Sequence, residues 1–235
     1  MNSKNSPPFL AIFVLFFGLA YLTSCQSKTV RNTYEGKAYS DSVYKSGAQM
    51  IPGKLQCEYY DTGGEGIAFH DTDSINSGSG RLNPADGTYL HEFRMNEAVD
   101  ISFTKFRDPA IDNSSFNFTE PLKDQFYVGW TAPGEWTRYS VNVTKAGTYE
   151  LGIMYTSNQN GKISISVNDE DKTGPIPITS TFVAADSVAW RQWHHWNYIG
   201  KIATIDLKKG MQTLTLHTVE IGQMNYDYIS FTLVK

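Results

Sequence analysis

Residues 135–143 read Glu135-Trp136-Thr137-Arg138-Tyr139-Ser140-Val141-Asn142-Val143. After the turn Lys145-Ala146-Gly147 the chain continues Thr148-Tyr149-Glu150-Leu151-Gly152-Ile153-Met154-Tyr155. Large apolar and polar side chains alternate in both runs. Successive side chains of a strand point to opposite faces, so each run turns one face to a core and one to water. The pattern recurs along the chain. Residues 162–167 form a third run after a turn at 158–161. Residues 203–207 and 213–217 flank Lys208-Lys209-Gly210 as a hairpin, and residues 226–231 give a last strand. No sustained helical stripe interrupts this period of two. Strands at this spacing, separated by Gly, Asn, Asp and Pro, predict an all-β fold, a two-sheet antiparallel β-sandwich of jelly-roll type. Two long segments without strand patterning, 71–92 and 106–123, predict functional loops or loops packed over the sheets.

The 235 residues carry a net charge of −4, with 14 Tyr, 13 Phe and 5 Trp. No basic block offers a phosphate-tracking surface, so nucleic acid is not an expected partner. The two cysteines, Cys25 and Cys57, cannot make a disulfide framework, and no clustered Cys/His pattern suits zinc. Cys57 reads as a small buried apolar residue.

The N-terminus is read apart from the fold. Lys4 precedes an apolar run at 9–22, which is short for a membrane span and suited to a signal-peptide core. Leu22-Thr23-Ser24-Cys25 resembles the bacterial lipoprotein signal, which implies cleavage before Cys25 and acylation of its thiol. The expected organisation is a signal peptide at 1–24, a flexible tether at 25–48 carrying lipidated Cys25, and one β-sandwich module at 49–235. The expected location is the bacterial cell envelope, anchored in lipid through Cys25, at the outer membrane.

Several motifs resemble the family 6 carbohydrate-binding modules. They are residues 56–71, with Gly63-Gly64-Glu65-Gly66; residues 93–101, with Phe93-Arg94 and Glu97-Ala98-Val99-Asp100-Ile101; residues 128–136, with the turn that follows; and Asn225-Tyr226-Asp227-Tyr228-Ile229-Ser230-Phe231. Together they run from 51 to 231. Gln56 and Phe93 stand where the family more often has Glu and Tyr, and extra sequence lies between 101 and 127 and between 174 and 190.

The resemblance implies a sugar site in the loops at one end of a sandwich, together with a structural calcium. A sugar ring needs an aromatic plane for its C–H face and directed polar groups for its hydroxyl rim. Phe93 and Trp190 match the family's aromatic pair, Asn225 its polar group, and Glu65 offers a further acceptor. Read from strand patterning alone, Phe93 fits core equally well. Alternation leaves open which of Trp190, Trp193 and Trp196 is the platform, and favours core for Trp193, Trp130 and Trp136. Gln56, Glu58 and Asp227 match the calcium ligands, and a strand through Gln56 and Glu58 would point both to one side. His194 and His195 are adjacent, so a strand would not aim both at one ion.

The function expected is binding of polysaccharide or oligosaccharide without catalysis. The glycan would be held near separate glycan-degrading enzymes or transporters. The alternatives are a β-sandwich glycoside hydrolase or lyase, for which no carboxylate pair falls in a catalytic motif, and a structural adhesive lipoprotein that has lost sugar binding.

Overall fold

The computed structural model describes residues 34–107, 109–220 and 223–235. The signal segment and Cys25 lie outside the described residues.

Two main sheets form the molecule. The first runs in the order Gln49–Ile51, Trp136–Val143, Gly210–Glu220, Gly161–Val167, Glu170–Asp171, with Phe69–His70 and Ile176–Ile178 paired at its sides. The second runs Asn197–Leu207, Gly147–Ser157, Met224–Leu233, Phe126–Val128, Ile101–Phe103, with Gly53–Gln56 on Met224–Leu233. Pairing is antiparallel except where Gln49–Ile51 runs parallel to Trp136–Val143, and in the small pair Ser79–Gly80 with Asn83–Pro84. The alternation of residues 136–143 appears directly. Thr137, Tyr139, Val141 and Val143 are buried, while Trp136, Arg138, Ser140 and Asn142 lie on the outer face. The inner residues meet Leu151, Ile153, Ile229 and Phe231 of the second sheet in one core, which makes the architecture a β-sandwich. Among the described residues no helix is long and apolar enough to cross a membrane.

The observed strands extend the expected runs to Gly147–Ser157, Asn197–Leu207, Gly210–Glu220 and Met224–Leu233. Residues 34–48, expected as part of a free tether, instead pack on the module. The backbone of Lys37 exchanges hydrogen bonds of 2.8 Å with Thr62. Tyr44 stacks on Tyr59 with centroids 3.6 Å apart, and Arg94 lies between the rings of Tyr39 and Tyr60. A polar, aperiodic stretch with tyrosines at 34, 39 and 44 carries enough aromatic surface to bind the core's edge.

That nest accounts for Phe93. The ring is 2% exposed, stacks on Phe126 at 4.4 Å and meets Tyr39, Tyr59 and Tyr89 edge-on. It belongs to the core and takes no part in a surface site, which corrects its reading as a sugar platform. The returning N-terminal segment, invisible to strand alternation, covers it.

Candidate functional site

At one end of the sandwich, loops enclose a cavity of about 520 Å³, a size typical of small-ligand sites. Its floor is Tyr127, from Phe126–Val128, and Asn225, from Met224–Leu233. Trp130, Trp190, Trp193, His194 and Gln223 build the polar and aromatic part of the wall.

Trp190 is 51% exposed and Trp130 42% exposed, although large aromatics ordinarily bury. Trp130 also has φ of 49°, an outlier for a bulky residue and a form of strain that collects at functional sites. This backbone twist breaks the alternation begun at Phe126–Val128 and turns the indole outward, so the expectation of core for Trp130 fails. The Thr131-Ala132-Pro133-Gly134 turn beside it was the available signal. Trp193, also expected in the core, lines the cavity, and its Nε1 donates to Gln223 Oε1 at 3.0 Å. Trp136 lies on the outer sheet face, and of these tryptophans only Trp196 is fully buried. Residues 189–193 form a short 3₁₀ helix, which removes strand alternation as a guide to their facing.

Asn225 does more than face a ligand. Its Nδ2 donates to Trp193 O at 2.7 Å and to Thr156 Oγ1 at 2.9 Å. Both amide hydrogens are engaged with the loop that carries Trp190 and Trp193. Its Oδ1 is left as the acceptor available to the cavity.

Asp186 braces the same loop. It receives a two-pronged pair from Arg191, with Nε at 2.6 Å and Nη2 at 2.7 Å, and further bonds from Val188 N and His195 Nε2. The Arg191 guanidinium above all, with these neighbours, holds the Asp186 carboxyl well below the usual range. His195 is buried in this brace, apart from the cavity.

A third brace comes from the extra sequence after Ile101–Phe103. Asp112 is buried and accepts from Trp196 Nε1 at 2.7 Å, His194 Nδ1 at 2.9 Å and Lys105 N at 2.7 Å. A carboxylate so engaged only accepts, so His194 donates through Nδ1, and its ring lines the cavity. Ile111 and Pro109, on the same segment, complete the wall with Leu82.

Glu65 is elsewhere. It pairs with His70 and accepts from Asp71 N at 3.1 Å, and it does not line the cavity. The Gly-rich loop folds against its own neighbours, with Gly66 N donating to Phe69 O. Of the four expected sugar contacts, the structure therefore brings together Trp190 and Asn225, and separates Phe93 and Glu65 from them.

The residues matching calcium ligands lie at a second place. Gln56 ends the strand Gly53–Gln56, and Glu58 sits in the 3₁₀ helix Cys57–Tyr59, so no single strand aims them. Asp227 occupies the register shift between Tyr226 and Tyr228, where a bulge turns its side chain inward. Gln56 Oε1, Glu58 Oε2 and Asp227 Oδ1 are all buried without a hydrogen-bond partner. Burial pushes Asp227 up to about 7, tempered by Lys54. Burial, reinforced by the Asp227 charge, pushes Glu58 well above the carboxylate range. Two carboxylates and an amide left without partners are oxygen donors of the type a hard cation such as calcium takes.

The family model for carbohydrate binding module (family 6) matches residues 111–233, a narrower stretch than the motifs at 51–231. No curated protein matches the chain. Similar solved structures include the module CsCBM6-3 from Clostridium stercorarium, in complex with cellobiose. It is 13% identical, with 80% of this chain and 99% of that chain covered and a TM-score of 0.44. The module CBM6cm-2 from Cellvibrio mixtus lichenase 5A, in complex with cellotriose, is 23% identical over 47% of this chain and 79% of that chain, with a TM-score of 0.36. A CBM35 from Paenibacillus barcinonensis is 22% identical over 46% of this chain and 78% of that chain, with a TM-score of 0.38.

Proposed function

The chain belongs to family 6 of the carbohydrate-binding modules, and from that premise we propose that it holds an oligosaccharide, or a segment of polysaccharide, in the tryptophan-walled cavity without cutting it. The observation that carries this reading is the pair of exposed indoles, Trp130 and Trp190, over the Asn225 floor. An indole plane covers the C–H face of a pyranose and releases water from both surfaces. Asn225 Oδ1 supplies an acceptor, Gln223 Nε2 a donor and the His194 ring a further polar group for hydroxyls. Asp112, Asp186 and Asn225 hold the wall in place before a ligand arrives, which limits the ordering cost of binding. Hydrolysis needs two carboxylates across a cleft, and the described residues that line this cavity include none.

The reading includes a calcium ion held by Gln56, Glu58 and Asp227. Its role is structural: bound there, it supplies positive charge to two buried carboxylates and a partner for three orphaned oxygens. It also includes acylation of Cys25, anchoring the module at the outer membrane of a bacterial envelope. There it keeps glycan close to degrading enzymes or transporters. The lipoprotein part rests on Leu22-Thr23-Ser24-Cys25 and the apolar run before it.

The test is a screen of residues 26–235 against a polysaccharide and oligosaccharide panel, with Trp190→Ala in parallel. Saturable binding lost in the folded variant supports the reading. Absence of binding across the panel opposes it, and appearance of cleaved product moves the assignment to an enzyme.

A further inference from the structure

Part of the cavity wall departs from what a sugar's hydroxyl rim requires. Leu82, Pro109 and Ile111 line it, and they come from the two segments that lack strand patterning. Both segments are built in. At the tip of the small parallel pair, Leu82 N donates to Ser77 O and Asn83 N to Gly78 O. Lys105 Nζ donates to Asn83 Oδ1 at 2.7 Å, tying the two segments together. Ile111 N donates to Lys105 O at 2.9 Å, and the next residue, Asp112, is clamped by Trp196, His194 and Lys105.

This wall therefore holds aliphatic groups at the mouth of the site, with Leu82 57% exposed to water. Among the described residues lining the cavity there is no Asp, Glu, Lys or Arg. Leu82, Pro109 and Ile111 bring no side-chain polar group to the lining; those a ligand can use come from Asn225, Gln223, His194 and the exposed indoles of Trp130 and Trp190. A hydroxyl turned to the aliphatic wall loses its water and gains no partner. A methyl turned there removes apolar surface from water on both sides. A carboxylate or sulfate ester would find no Lys or Arg among the described lining residues to pair with.

We propose that the cavity selects a neutral sugar bearing a methyl group, as a 6-deoxy carbon or an O-acetyl substituent, seated against Leu82, Pro109 and Ile111. This deepens, and rests on, the glycan-binding reading of the same cavity.

Calorimetric titration of matched pairs tests it. One pair is L-fucose and L-galactose, which differ at carbon 6. The other is acetylated xylo-oligosaccharides and the same material after alkaline deacetylation. In one pair or the other, the methyl-bearing member is expected to bind about fourfold tighter or more per buried methyl. Which pair shows the preference identifies the source of the methyl. Leu82→Ser and Ile111→Thr should each reduce the preference while binding persists. Equal binding within both pairs, tighter binding of the hydroxylated members, or a preference unchanged in both variants overturns the proposal. If binding still depends on Trp190 but shows no methyl preference, the glycan reading stands and this inference fails. If no glycan binds, or Trp190→Ala changes nothing, both fail.

Discussion

Withholding calcium from the proposed site at Gln56, Glu58 and Asp227 is the perturbation with the clearest expected magnitude. Gln56 Oε1, Glu58 Oε2 and Asp227 Oδ1 are buried together with no partner, and each such acceptor costs about 1–3 kcal/mol, more when charged. Two carboxylates share the site, and the charge of Asp227 opposes ionisation of Glu58. A cation bound to the folded state alone stabilises it by about 2.7 kcal/mol at a hundred times its dissociation constant. For a module of this size each kcal/mol moves the melting midpoint by roughly 2–4 °C, so the expected rise is roughly 5–11 °C. Differential scanning calorimetry in EGTA, in magnesium and in rising calcium measures it. Asp227→Asn and Glu58→Gln should lose most of the response. The three proposed ligands share no residue with the cavity lining, so glycan affinity well below the melting transition should change little. A midpoint unmoved by millimolar calcium, or a full response retained in Asp227→Asn, would refute the reasoning.

Other expectations concern the core and the braces. Phe93→Ala empties a fully packed aromatic nest and should cost about 3–5 kcal/mol in denaturant unfolding while leaving glycan affinity unchanged; lost affinity in a folded variant would return Phe93 to the site. Asp112→Ala removes the acceptor shared by Trp196, His194 and Lys105, so it should weaken glycan binding and speed amide exchange in residues 105–119. Unchanged exchange there would deny Asp112 a positioning role. Burial, with the charges of Asp71, Asp73 and Glu135, pushes Asp100 up to about 7. The folded state then binds a proton that the unfolded state releases between about pH 4 and 7, so stability should rise as pH falls through that window. In saturating calcium, the slope of melting midpoint against pH should flatten in Asp100→Asn, and an unaltered slope would contradict the assignment.

The fold was legible because alternation survives in residues 136–143 and at the start of 147–157, although both faces of the latter strand are buried from Leu151 onward. The site was half legible. Asn225 lies on a regular strand, and a motif pointed to Trp190. Trp130 and Trp193 were misread because both leave the strand geometry that alternation assumes, one through positive φ and the other through a 3₁₀ turn. Phe93 was ambiguous because its burial depends on Tyr39 and Tyr59, contacts distant in sequence. Glu58 and Asp227 could be matched by motif, but their convergence with Gln56 depends on a 3₁₀ helix and a bulge that no periodicity encodes. Leu82, Pro109 and Ile111 gave no signal, since isolated apolar residues in loops are common.

The chain's five tryptophans provide the most direct test of the central claim, that glycan enters the cavity. In ¹⁵N-labelled protein, titration with a bound oligosaccharide should shift the indole N–H signals of Trp130, Trp190 and Trp193. Those of Trp136, on the outer sheet face, and Trp196, in the core, should stay in place. Movement of Trp136 with the three cavity indoles unmoved would place the ligand on the sheet face and contradict the account.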